Sequence, residues 1–188
     1  MKKLIFVPIV LLVSPALAHV GGDGAQHHLV AGFSHPFSGL DHMLAMIAVG
    51  LVAAFLGGRS WFAMPATFLA AMLAGFGAGA AQLFTLPAYE AMIVASVIGL
   101  GLALLVARPL PLLVTLAITA IFGFAHGFAH GVEGALTLGY ATGFLAATAI
   151  LHGIGLAAGA GFIRFGQPLA YRIAGGVIAA IGVALAML

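Results

Sequence analysis

Apolar residues run along this chain in long blocks, without the two-residue alternation of a half-buried strand or the single narrow stripe of a surface helix. Clusters of Gly, Pro, Arg and Ser divide the blocks into six: Pro36 to Leu56, Phe62 to Phe84, Tyr89 to Ala107, Leu110 to Gly131, Thr137 to Phe162 and Leu169 to Leu188. Each is near the ~20 residues that carry a helix across ~30 Å of hydrocarbon. The joints between them are too short to hold a folded unit of their own. The pattern predicts an all-α polytopic membrane protein with six transmembrane helices.

A different pattern precedes the first block. Residues 1–18 carry basic Lys2 and Lys3, an apolar stretch from Leu4 to Val13, Pro15, and a small-x-small ending, Ala16-Leu17-Ala18. That is the build of a secretory signal peptide, shorter than a span, and it predicts cleavage after Ala18. Residues 19–34 then read as a polar, glycine-rich, histidine-containing tail, and residues 35–188 as the transmembrane domain.

Composition agrees with lipid as the main solvent. Of 188 residues, 64% are apolar and 5% charged, against about 45–50% and about 25% in soluble domains. Both lysines sit at positions 2 and 3, so no G-x-x-x-x-G-K-[ST] phosphate loop exists and a nucleotide partner is not expected. The absence of cysteine excludes disulfides, thiolate metal sites and cysteine nucleophiles. No basic run suggests nucleic acid. Of the arginines, Arg59, Arg108 and Arg164 fall in the joints after the first, third and fifth blocks, and Arg172 stands at the start of the sixth, next to the last of these joints. The positive-inside bias therefore places those joints in the cytoplasm, with the tail and the C-terminus outside.

Glycines repeat every four residues in several blocks: Gly75 and Gly79; Gly123, Gly127 and Gly131; Gly139 and Gly143; Gly155 and Gly159. Small residues at that spacing let helix backbones approach closely in lipid, within one chain or in a homo-oligomer.

Against this apolar background stand eight histidines and only four acids. The first block opens F-S-H-P-F-S-G-L-D-H-M-L-A-M, in which the step from His35 to His42 returns to nearly the same helical face and Asp41 adjoins it. Pro36 suits a first helical turn. Met46, one turn below His42, is an accessory soft donor. The fourth block ends G-F-A-H-G-F-A-H-G-V-E-G, so His126, His130 and Glu133 share one stripe. In the deduced orientation both motifs reach the same outer surface. Convergence of five or more His, Asp and Glu side chains at one depth predicts a metal site made of His35, Asp41, His42, His126, His130 and Glu133. Glu90, at the head of the third block, and His152, deep in the fifth, are candidate stations on a path, since an intramembrane ionisable group usually faces a partner or water. His19, His27 and His28 are candidate accessory ligands in the tail. Imidazole and carboxylate without thiolate suit Ni2+, Co2+ or Zn2+. Such ligands bind deprotonated, so loading weakens as histidine titrates near about 6.5.

The segments H-P-F-S-G-L-D-H-M-L-A-M, from His35 to Met46, and H-G-F-A-H-G-V-E-G, from His126 to Gly134, resemble the HupE/UreJ family of nickel and cobalt permeases. The likeness extends over nearly the whole chain. It implies uptake of Ni2+ or Co2+ as transported substrate, with no prosthetic group, across the bacterial cytoplasmic (inner) membrane. It also implies that the family's histidines and acids correspond to His35, Asp41, His42, His126, His130 and Glu133. The spacing here is H-x5-D-H, unlike the H-x4-D-H element of another nickel/cobalt transporter family, so that family's selectivity does not carry over. Two other classes compete with a permease. One is an intramembrane zinc-dependent hydrolase with Asp41 or Glu133 as base, although H-E-x-x-H is absent. The other is a haem cytochrome with histidines as axial ligands, which the adjacent acids fit poorly.

Overall fold

The computed structural model describes residues 24–188, so the expected signal peptide and His19 lie outside the described residues. The described chain forms seven helices and no strand: α1 (Gly24–Ser38), α2 (Leu40–Leu56), α3 (Ser60–Ala80), α4 (Tyr89–Val106), α5 (Leu112–Glu133), α6 (Leu138–Arg164) and α7 (Pro168–Leu185). Helices α3 to α7 are each long and apolar enough to cross a membrane. Helices α1 and α2 are long and apolar enough only together, as a pair bent by 82° at their junction, which makes six spans if the pair counts as one.

That bend corrects the expected first span. A single helix starting at Pro36 does not form; Pro36 lies inside α1, and the chain breaks at Gly39, whose φ of −104° and ψ of 120° are extended. A new helix then starts, with the Met43 amide donating to the Gly39 carbonyl at 3.0 Å. Residues 24–34, expected as part of a tail, are helical because α1 packs on α6. A Cβ at Gly32 would collide with the Tyr140 carbonyl, and one at Gly143 with the Leu29 carbonyl. Tertiary contact thus orders a segment whose polar composition alone argues for none. A smaller correction concerns α3, which ends at Ala80 rather than Phe84. Its last expected residues form a loop in which Gln82 has φ of 50°.

Close backbone contact organises the rest. Helix α3 packs along α5, α2 along α6 below α1, and α4 along α7. The glycines expected to mediate packing sit at these seams. Gly75 and Gly79 of α3 abut the backbone at Phe124 and Phe128, while Gly123, Gly127 and Gly131 of α5 abut Phe68, Met72 and Phe76. On the α2–α6 seam Gly155 meets Ile47 and Gly50, and on the α4–α7 seam Gly101 faces Gly175 and Ala179. The interior between the pairs is filled by Met46, Met64, Phe68, Met72, Phe144 and Leu151, all essentially without solvent contact.

Chain direction sorts the polar groups to two ends. The turns α2–α3 and α4–α5 hold Arg59 and Arg108, Arg164 ends α6, and Arg172 lies in the first turns of α7. The start of α2 and the end of α5 lie at the opposite end and hold the histidine motifs.

The α3–α5 seam tests this packing. At Gly127 a methyl group would be driven into the Met72 carbonyl, whereas at Gly153 nothing lies within 4 Å. Gly127→Ala should destabilise the purified protein by about 1–3 kcal/mol, an overpacking cost, while Gly153→Ala should be neutral or stabilising by up to ~1 kcal/mol. Thermal unfolding in detergent measures both. Equal melting temperatures for the two variants would show that the seam is slack.

Candidate metal site

The break at Gly39 positions the first half of the site. It turns the end of α1 back over the start of α2, so that His35 and His42 meet across the corner with ring centroids 6.0 Å apart. The second half comes from α5. Its glycine stripe is pressed against α3, and this fixes the rotation of the helix, aiming His126 and His130 at the interior where both are fully buried. His130 lies 4.7 Å from His35 and 5.2 Å from His42 between ring centroids, and His126 lies 5.0 Å from His42. Nitrogens of His35, His42 and His130 fall within 4.8 Å of one another. Two nitrogens bound to one ion at ~2.1 Å can be no more than ~4.2 Å apart, so the three would need only small ring rotations to share an ion.

Hydrogen bonds fix which nitrogens are available. His42 Nδ1 lies 3.0 Å from Asp41 Oδ1, which also accepts the His42 backbone N–H at 2.8 Å. A carboxylate only accepts, so Nδ1 carries the proton and Nε2 keeps its lone pair. His126 repeats the arrangement with the Phe122 carbonyl, 2.9 Å from Nδ1. In both rings Nε2 is buried and has no hydrogen-bond partner, and in His130 neither nitrogen has one. The His130 ring is held flat against Phe144, with centroids 4.7 Å apart and planes within 4°.

The six expected site residues therefore separate. His35, His42 and His130 converge, His126 adjoins them, and Asp41 orients His42 from behind. Glu133 stands apart: it ends α5, is exposed, and accepts the Tyr89 hydroxyl at 3.1 Å. Glu90 is exposed at the start of α4, His27 is exposed and His28 half-buried on α1. Met46 and His152 are buried deeper in the bundle. Sequence reasoning missed Tyr140, which is 5% exposed, has an unpartnered hydroxyl, and lies 6.1 Å from His35 and 6.4 Å from His130 by ring centroids. A tyrosine opening an apolar run reads as an interfacial anchor, so nothing in the sequence singled it out.

Chemically, neutral imidazoles with free lone pairs in a dry setting, at a helix C-terminus, suit a borderline divalent cation. A carboxylate behind a ligating histidine fixes its tautomer and raises its basicity. Gly39 makes that pair sterically feasible, because a Cβ there would lie 2.7 Å from Asp41 Oδ1 and 3.3 Å from His42 Nδ1. Gly39→Ala should therefore displace the pair and weaken Co2+ binding by about tenfold or more, the usual cost of losing such an orienting group. Its φ and ψ suit alanine, so the melting temperature should stay near wild type. Calorimetric titration with Co2+ checks the first statement and thermal unfolding the second.

The comparisons with known proteins cover the same motifs and the helices that carry them. The family described as HupE / UreJ protein matches residues 7–185. Protein HupE of Rhizobium leguminosarum bv. viciae is 43% identical over 183 residues, covering 93% of this chain and 91% of the relative. No solved structure matches. The family consists of transporters and not enzymes, which removes the intramembrane hydrolase as a reading of the histidine cluster. With the match running from before α1 to the end of α7, this multi-pass membrane protein belongs to the HupE/UreJ family.

Proposed function

We propose that this chain is a secondary permease that carries Ni2+ or Co2+ into the bacterial cytoplasm across the inner membrane. The ion is captured by His35, His42, His126 and His130 and released at the arginine end. Buried imidazole nitrogens without partners carry this reading. A lone pair left unsatisfied in a protein interior costs roughly 1–3 kcal/mol, and His42, His126 and His130 bear this cost together at one place. A bound cation offsets it, and ready exchange of that cation is what a permease requires. The donor set, nitrogen with carboxylate and no thiolate, favours Ni2+ and Co2+ and admits Zn2+.

The arginine distribution supports an orientation with the histidine end and both chain termini in the periplasm. An inside-negative potential then drives uptake without nucleotide, since a divalent ion gains roughly 4.6 kcal/mol from 100 mV. Asp41 holds the His42 tautomer, and Glu133 with Glu90 forms an acidic rim that collects cations from solution. His19, His27 and His28 assist that capture from the amino-terminal segment.

In proteoliposomes with an imposed inside-negative potential, the wild type should accumulate Ni2+ or Co2+ well above Mn2+. His42→Ala should reduce uptake to the vesicle background. Asp41→Asn, which keeps an acceptor but not the charge, should lower it by about tenfold or more. Uptake that is indifferent to the potential, or unchanged in His42→Ala, would falsify this assignment.

A further inference from the structure

Beyond the histidines the bundle interior changes chemistry. The side chains of Thr115, Thr119 and Thr142 each donate to the carbonyl four residues back, as threonine in an apolar helix commonly does. Thr148, fully buried on α6, does not. Its hydroxyl points across the bundle to Met46 Sδ on α2 at 3.2 Å, with Met72 Sδ on α3 at 3.9 Å. Two thioethers and a hydroxyl from three different helices thus meet at one point without solvent contact.

The position of that point matters. Met46 is one turn along α2 from His42, and one turn along α6 from Thr148 stands His152, 1% exposed with neither nitrogen partnered. Phe68, one turn from Met72 on α3, touches both ends of this stretch, with ring centroids 5.3 Å from His126 and 5.1 Å from His152. The sulfur cluster therefore lies one helical turn from His42 on α2 and one from the deeper His152 on α6.

We propose that Met46, Met72, Thr148 and His152 form a second, inner ion station, and that its thioether donors give the transporter its discrimination against hard cations. This deepens the permease reading and rests on it. Imidazoles already rank Ni2+ and Co2+ above Mn2+ in the order set by the metal, and a thioether layer adds a second bias in the same direction. Neutral, polarisable sulfur offers little to Mg2+, Ca2+ or Mn2+, which prefer carboxylate, carbonyl and water oxygen and hold their hydration shells. Ni2+ and Co2+ accept a mixed nitrogen and sulfur environment at smaller loss. Two stations in series thus combine capture at the histidine end with selection in the interior. The Thr148 hydroxyl holds the two sulfurs together while the station is empty and presents its own oxygen when an ion arrives.

Packing alone makes a different prediction. Methionine is also a common filler of irregular cores, and Met→Leu is a volume-conserving exchange that cores tolerate. The Met46→Leu/Met72→Leu double variant therefore separates the two. In proteoliposomes under an inside-negative potential, its initial Ni2+ uptake should fall by about tenfold or more, and its Ni2+ over Mn2+ preference should move toward unity, while Co2+ affinity at the outer cluster in detergent stays within about twofold of wild type. Wild-type rate and preference in the double variant would overturn the proposal and leave the sulfurs as filler. Parallel loss of Co2+ affinity and uptake would overturn it too, by tracing the defect to the outer cluster. Should the double variant fail to fold, Met72→Leu alone, remote in sequence from the His42 motif, should lower the Ni2+ over Mn2+ preference, and an unchanged preference would again overturn the proposal. A wild type that carries no metal at all sinks the permease reading itself, an outcome visible before any variant is compared.

Discussion

Helix backbones in this bundle meet at glycines, and the seams leave no room for a single added methyl group. In water, apolar side chains would drive such helices together, but lipid is as apolar as the side chains, so association depends on intimate van der Waals contact. Closeness has a second consequence. An imidazole reaches only a few ångströms from its backbone, and rings from α1, α2 and α5 can share one ion only if their axes approach closely. Gly123, Gly127 and Gly131 lock α5 onto α3, while Gly50 and Gly155 lock α2 onto α6. The contacts of α3 with α2 and α6 then join the two pairs and bring His126 and His130 to His42.

The polar interior that results is held ready. Asp41 and the Phe122 carbonyl each accept a hydrogen bond from the Nδ1–H of a neutral histidine, which leaves Nε2 of His42 and of His126 buried with its lone pair free. Phe144 clamps the His130 ring from the side. Much of the rotamer entropy that an ion would otherwise have to remove is therefore already lost in the folded chain. Polar groups this deep in an apolar bundle lower its stability, so their persistence argues for a role in which a cation satisfies them part of the time.

Charge and softness are graded along the bundle axis. Exposed carboxylates, Glu90 and Glu133, lie at the histidine end, with Tyr89 engaging Glu133. Buried imidazoles follow, then the thioethers of Met46 and Met72, then His152. On the proposed route a cation would exchange oxygen donors for nitrogen and then for sulfur, losing its water in steps rather than all at once. Four arginines gather at the far end, the distribution on which the proposed inward orientation rests.

Much of this was legible without coordinates. Block length and hydropathy determined the all-helical, membrane-spanning class, because a backbone in hydrocarbon must satisfy its own hydrogen bonds. The four-residue glycine spacing marked the α3–α5 seam and the contacts of α6 with α1 and α2, though not the α4–α7 seam at Gly101 and Gly175, and the His35–His42 and His126–Glu133 motifs marked the helix ends that the fold brings together. Helical periodicity, however, records only which residues share a face of one helix. It could not show that Gly39 breaks the first span and folds α1 through 82° onto α6, since that conformation is chosen by the Gly32–Gly143 contact between residues far apart in sequence. Nor could it separate Glu133, drawn outward to Tyr89, from the histidines of its own stripe, or pick out Tyr140 and Thr148 from other polar side chains in apolar runs. Local pattern dictates what each helix can offer, and the distances between helices, set by packing across the bundle, decide which of those offers meet.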